Sequence, residues 1–129
     1  MKYLLDTNAV IAILNNNATF IKNMRVHEPN DMAVSSITMY ELYFGAYKSQ
    51  RTERNLRLIN KLPFTTLELQ EQDGKAAGLI RADLEKKGTP IGPYDILIAG
   101  QAVAKSLTLI TNNTKEFQRV SDLKIEDWQ

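Results

Sequence analysis

Asp6, Glu41, Asp95 and Asn113 are the residues on which this chain could build chemistry, and its composition removes most of the alternatives. There is no cysteine, which excludes thiol catalysis, cysteine-ligated zinc and redox switching. The one histidine, His27, precedes Glu28 and Pro29, a setting that suits a helix end or the surface. Two-histidine ribonuclease chemistry is therefore closed to a single chain, and a Ser-His-Asp triad would depend on that one residue. No glycine-rich phosphate loop of either standard spacing is present, since Gly88, Gly92 and Gly100 are isolated from one another. For an enzyme, water activated by a bound metal ion is the nucleophile left standing.

Four positions so far apart in sequence meet only if the fold gathers them. The apolar run Tyr3-Leu4-Leu5 reads as a buried strand that stops on Asp6, and Val10, Ile11, Ile13 and Leu14 resume as a helix, so Asp6 falls in a strand-to-helix turn. Ala18 to Val26 predicts a second helix, ended by Pro29-Asn30-Asp31. Met32 to Ile37 reads as strand two, and Thr38 opens a helix running to about Lys48 with Glu41 in its first turn. A helix over Arg54 to Leu62 and a strand over Phe64 to Leu69 follow. A long helix from about Gln72 to Lys87 comes next, with Gly88 at its C′ position. The stiff loop Thr89 to Tyr94 delivers Asp95 to a helix, Ile96 to Lys105, that is apolar nearly all round and so buried. Leu107 to Thr111 is the fourth strand, Asn112-Asn113-Thr114 its exit, Lys115 to Val120 a short helix, and Leu123 to Ile125 a candidate edge strand.

Strands separated by helices predict an α/β fold, a three-layer α/β/α sandwich around a mainly parallel sheet of four to five strands. In such a sheet the strand exits and the starts of returning helices share one edge, the edge where open α/β sheets bind ligands. Three carboxylates and a carboxamide crowded there would raise one another's pKa unless a cation neutralised them. An oxygen-only donor set suits a hard ion such as Mg²⁺, with Mn²⁺ as the alternative. A plainer reading stands beside it: Asp6, Asp95 and Asn113 could cap helices, and Thr38-x-x-Glu41 matches a capping box. The two readings are compatible, but only the second requires no gathering.

The remaining bounds are broad. A chain of 129 residues predicts one domain, residues 1–129, with 43% apolar and 24% charged residues and a net charge of +1. No apolar run reaches the ~20 residues of a membrane span, and no basic-flanked leader is visible, so the cytoplasm is the expected compartment.

With these residues in view, the chain resembles the PIN-domain ribonucleases of the VapC toxin family, the toxic half of type II toxin–antitoxin pairs. The resemblance is carried by Leu4-Leu5-Asp6-Thr7-Asn8, by Ser35 to Leu42, by Gly92-Pro93-Tyr94-Asp95-Ile96-Leu97-Ile98-Ala99, and by Leu109 to Phe117, in register over essentially the whole chain. It implies a Mg²⁺- or Mn²⁺-dependent endoribonuclease, dimeric, cutting RNA and foremost tRNA. It also implies restraint by a VapB-like antitoxin, through which alone it reaches operator DNA, and no membrane. Carried over, Asp6 and Asp95 are the main metal ligands, Glu41 is the third acid, and the family's fourth acidic position falls on Asn113, one charge fewer for a second ion.

Tyr40, Tyr43, Phe44 and Tyr47 repeat at helical spacing beside Glu41, a stripe that reads first as core and second as a groove for an antitoxin's apolar segment. Lys48, Arg51, Arg54, Arg57, Lys86, Lys87 and Lys115 could supply phosphate contacts or simply form solvated faces. Two rivals remain. Aspartate-nucleophile phosphohydrolases want a second Asp two residues after the first, where this chain has Asn8. A non-catalytic acidic α/β binding module would use its carboxylates only as caps.

Overall fold

The computed structural model describes residues 1–129. Five strands, β1 (Tyr3–Leu5), β2 (Met32–Ser35), β3 (Thr65–Leu67), β4 (Thr108–Ile110) and β5 (Ile125–Glu126), form one parallel sheet in the order β3-β2-β1-β4-β5. Seven helices flank it: α1 (Thr7–Leu14), α2 (Ala18–Met24), α3 (Ser36–Lys48), α4 (Thr52–Asn60), α5 (Glu71–Lys86), α6 (Pro93–Ala104) and α7 (Thr114–Phe117). None is long and apolar enough to cross a membrane.

Strand side chains alternate in direction, so each central strand feeds two cores. Leu4, Ala33 and Leu109 join Ala77, Leu84, Ile98, Ala99, Ala102 and Phe117 under α5, α6 and α7. Leu5, Val34 and Ile110 join Ala9, Val10, Phe20, Leu42, Ala46 and Ile59 under α1 to α4. The expected three-layer sandwich is thus present, with five strands and every pair parallel. Leu4 and Leu5 are fully buried, and burial of a leucine side chain stabilises by about 1.5–3 kcal/mol. The first strand is consequently the centre of both cores as well as of the sheet.

The chain lays down β1, β2 and β3 outward, then returns through α5 and α6 to place β4 on the other side of β1. The close packing of these two helices requires Gly100: a Cβ there would stand 2.6 Å from Ala77 Cβ and 2.8 Å from the Asp73 carbonyl oxygen. Buried Asp73 also accepts from the Gln70 amide at 2.8 Å and from Lys105 Nζ at 2.6 Å, fixing the start of α5 and pinning it to the end of α6. At the other end of α5, Gly88 has φ +70 and closes the helix as its spacing predicts, with the Thr89 amide donating to the Leu84 carbonyl at 2.9 Å.

Two local expectations fail. Strand two stops at Ser35, because the Ser35 hydroxyl accepts from the Ile37 amide at 3.0 Å and caps a helix that begins at Ser36. Glu41 therefore lies in the second turn of α3, and the Thr38-Glu41 capping box does not form. Nor is the aromatic stripe of α3 core. Thr38, Leu42 and Ala46 take the inward line of that helix and Tyr43 packs at its margin, leaving Tyr40, Phe44 and Tyr47 exposed.

Candidate active site

The ends of β1 and β4 lie side by side at the point where the winding of the sheet reverses, which is where an open α/β sheet leaves a crevice beyond its carboxyl edge. Asp6, the first residue past β1, donates its amide to the Ile110 carbonyl at 3.1 Å. Its carboxylate accepts from the Ala9 amide at 2.8 Å, capping α1, and is hydrogen-bonded by the Thr111 hydroxyl. It is only 4% exposed. Burial pushes its pKa from 3.8 to about 6; the two hydrogen bonds oppose that rise, and the charges of Asp95 and Glu41 add to it. Asp6 therefore caps a helix and also faces two other acids.

Asp95, in the first turn of α6, is half-buried and its carboxyl is likewise raised, by burial first, then by Glu116 and Glu41. It makes no capping hydrogen bond. Glu41 arrives from α3 and accepts from the Thr7 hydroxyl at 2.8 Å, and that hydroxyl lies 3.2 Å from the Thr38 hydroxyl. Asn113 does not cap α7 with its side chain. Its amide group donates to Glu116 Oε2 at 3.0 Å, while its backbone N–H donates to Thr111 Oγ1 at 2.9 Å.

Asp6, Glu41 and Asp95 thus lie near enough at this edge of the sheet for their charges to act on one another, and Asn113 is hydrogen-bonded to Glu116, whose charge also reaches Asp95. Glu116 is the acid that sequence reasoning missed. Its signal was available: it lies in the short helix after strand four, within one turn of the same sheet edge. Thr7 and Thr111, which hold Glu41 and Asp6, were missed as well.

A buried acid that feels the charges of Asp95 and Glu41, with Glu116 acting in turn on Asp95, is a donor set suited to a hard cation. No three acidic side chains stand close enough to make a ready-formed cage. Mg²⁺ does not need one, since it binds through one or two carboxylates and keeps several waters for exchange with substrate phosphates.

The PIN-domain profile matches residues 3–123. The tRNA(fMet)-specific endonuclease VapC of Salmonella typhimurium strain LT2 is 43% identical, over 99% of this chain and 98% of that protein. This chain belongs to the VapC family of PIN-domain ribonucleases. Ribonuclease VapC2 of Haemophilus influenzae strain Rd is 41% identical over 99% of this chain and 98% of its own length. Among solved structures, DNA-bound VapBC from Salmonella typhimurium superposes with a TM-score of 0.95 at 40% identity, covering 100% of this chain and 99% of that one. VapBC2 from Rickettsia felis, bound to a promoter DNA fragment, gives 0.94 at 34% identity with both chains covered in full. VapC membership and the PIN fold agree with the strand order and with the crevice at the ends of β1 and β4.

Proposed function

We propose that this chain is the endoribonuclease toxin of a type II toxin–antitoxin pair, hydrolysing phosphodiester bonds of RNA, tRNA foremost, with Mg²⁺ or Mn²⁺. The observation that carries the reading is end-to-end similarity to a tRNA(fMet)-specific endonuclease combined with acids from four separate elements facing one crevice. Asp6 and Asp95 are the main ligands, Glu41 and Glu116 complete the acidic set, and Asn113 steers Glu116. A divalent ion bound there supplies positive charge to the phosphate and lowers the pKa of water.

The protein's own groups do the positioning. Ala9 and Thr111 hold Asp6 in one orientation, and Thr7 holds Glu41 where it orients or deprotonates the attacking water. In-line attack places the water oxygen on phosphorus and releases the 3′ oxygen. Products carry 5′-phosphate and 3′-hydroxyl ends.

Relatives solved as VapBC complexes support a VapB-like antitoxin as partner, operator DNA being reached through it. We assign the exposed Phe44 and Tyr47 on α3 to the antitoxin's apolar segment, and the toxin itself to a homodimer in the cytoplasm. The deciding experiment incubates the purified chain with total bacterial tRNA in Mg²⁺, in Mn²⁺ and in EDTA, and maps the ends. Metal-dependent cuts with 5′-phosphates, lost in Asp6→Asn and Asp95→Asn, are the expected result. A 2′,3′-cyclic phosphate product, or near-full activity in either variant, overturns the mechanism. Phosphate release from a monoester with tRNA left intact would favour a phosphohydrolase.

A further inference from the structure

Tyr40 and Tyr94 form a pair that neither core accounts for. Their hydroxyls are 3.3 Å apart, and their rings meet edge to face with centroids 5.5 Å apart. Tyr40 is on α3 and Tyr94 on α6, so the pair bridges two helices distant in sequence. Both remain exposed, at 53% and 43%. Each immediately precedes an acid of the crevice, Tyr40 before Glu41 and Tyr94 before Asp95. The aromatic pair is therefore next to the carboxylates.

Exposed aromatic rings give up favourable burial unless something covers them. An acidic crevice that acts on a phosphodiester has a particular difficulty: the carboxylates repel the phosphates that flank the scissile one. Nearby affinity is then best supplied by an uncharged contact. A nucleobase is flat and neutral, and it stacks on aromatic side chains whatever its identity. We propose that Tyr40 and Tyr94 form a stacking platform for an unpaired nucleobase adjoining the bond that is cut, positioning single-stranded RNA over the acidic crevice. The two-tyrosine link holds both rings in place before substrate arrives, so little freedom is lost on binding. This rests on the ribonuclease reading and adds to it two positioning residues, Tyr40 and Tyr94, for the base beside the bond that is cut.

The test uses the full chain and a fluorescein-labelled single-stranded oligoribonucleotide of about ten residues, with anisotropy read in EDTA and cleavage read in Mg²⁺. Tyr40→Ala/Tyr94→Ala should weaken binding roughly tenfold and raise KM correspondingly, with kcat within about twofold of wild type. Tyr40→Phe/Tyr94→Phe keeps the rings and loses only the hydroxyl link, so it should bind more weakly than wild type but clearly more tightly than the alanine variant. Because stacking releases no counterions, the slope of affinity against salt should be the same for wild type and the alanine variant. Unchanged affinity in the alanine variant, or phenylalanine variants as weak as alanine ones, overturns the platform. So does loss of self-association by light scattering with RNA affinity intact, which would make this a surface between copies. If wild type cleaves RNA in any of these cases, only the platform falls. If wild type neither binds nor cleaves RNA, the ribonuclease reading falls and takes the platform with it.

Discussion

A buried carboxylate among like charges makes metal-free stability depend on pH with an unusual sign. Asp6 titrates at about 6 in the folded chain, against an ordinary 3.8. Between those values the folded state binds more protons than the unfolded one, so Asp6's stabilising contribution is whole below about pH 4 and lost as pH climbs through about 6. The swing is roughly 3 kcal/mol. Urea denaturation in EDTA across that window should show a fall in wild type that is clearly smaller in Asp6→Asn, since asparagine keeps the cap without the charge while Asp95 remains raised. At pH 7.5, added Mg²⁺ should raise the Tm of wild type and leave Asp6→Asn unmoved. Glu116→Gln tests the residue that sequence reasoning passed over. It should lower kcat/KM by roughly ten- to a hundredfold, as outer partners of metal sites do, with little change in Tm. An unaffected Glu116→Gln would confine the site to the three acids predicted from sequence.

At the scale of elements, the return crossover decides whether the site assembles, because α6 carries Asp95 and leads into β4. Gly100→Ala forces a Cβ into the Ala77 and Asp73 backbone of α5, where nothing can move aside without separating the helices. It should cost about 1–3 kcal/mol, read as a lower urea midpoint. Activity per folded molecule should fall too, because Asp95 shifts with its helix. The existence of most elements was legible from sequence, and α6 was legible as buried because it is apolar on every side. Where strand two reads too long in the sequence, the reason is that a short side chain caps a helix before the apolar run ends. Ser35 begins α3 while the run continues to Ile37.

For the molecule as a whole, the last residues close the structure back onto the first. Trp128, 5% exposed, stacks on His27 with centroids 4.7 Å apart and meets Tyr3 and Phe20 edge-on or tilted. The Asn23 side chain donates to the Trp128 carbonyl at 2.8 Å. Trp128→Ala should therefore destabilise by roughly 3–5 kcal/mol, seen as a drop in Tm, despite its place next to the C-terminal residue. His27, expected at a helix end or on the surface, does follow α2, and its stacking partner lies about a hundred residues away in sequence, beyond any local pattern.

Taken alone, the order of residues determined most of the strands and helices, the burial of α6, and that successive strands run the same way. Hydrophobic period and residue chemistry are local properties, and local properties can be read along a line. The tertiary structure decided which acids share a crevice, that Asn113 serves Glu116, and that Tyr40 turns outward to meet Tyr94 while Thr38, Leu42 and Ala46 turn in. Those outcomes depend on how each helix is rotated against the sheet, and that rotation is set by packing among residues far apart in the chain.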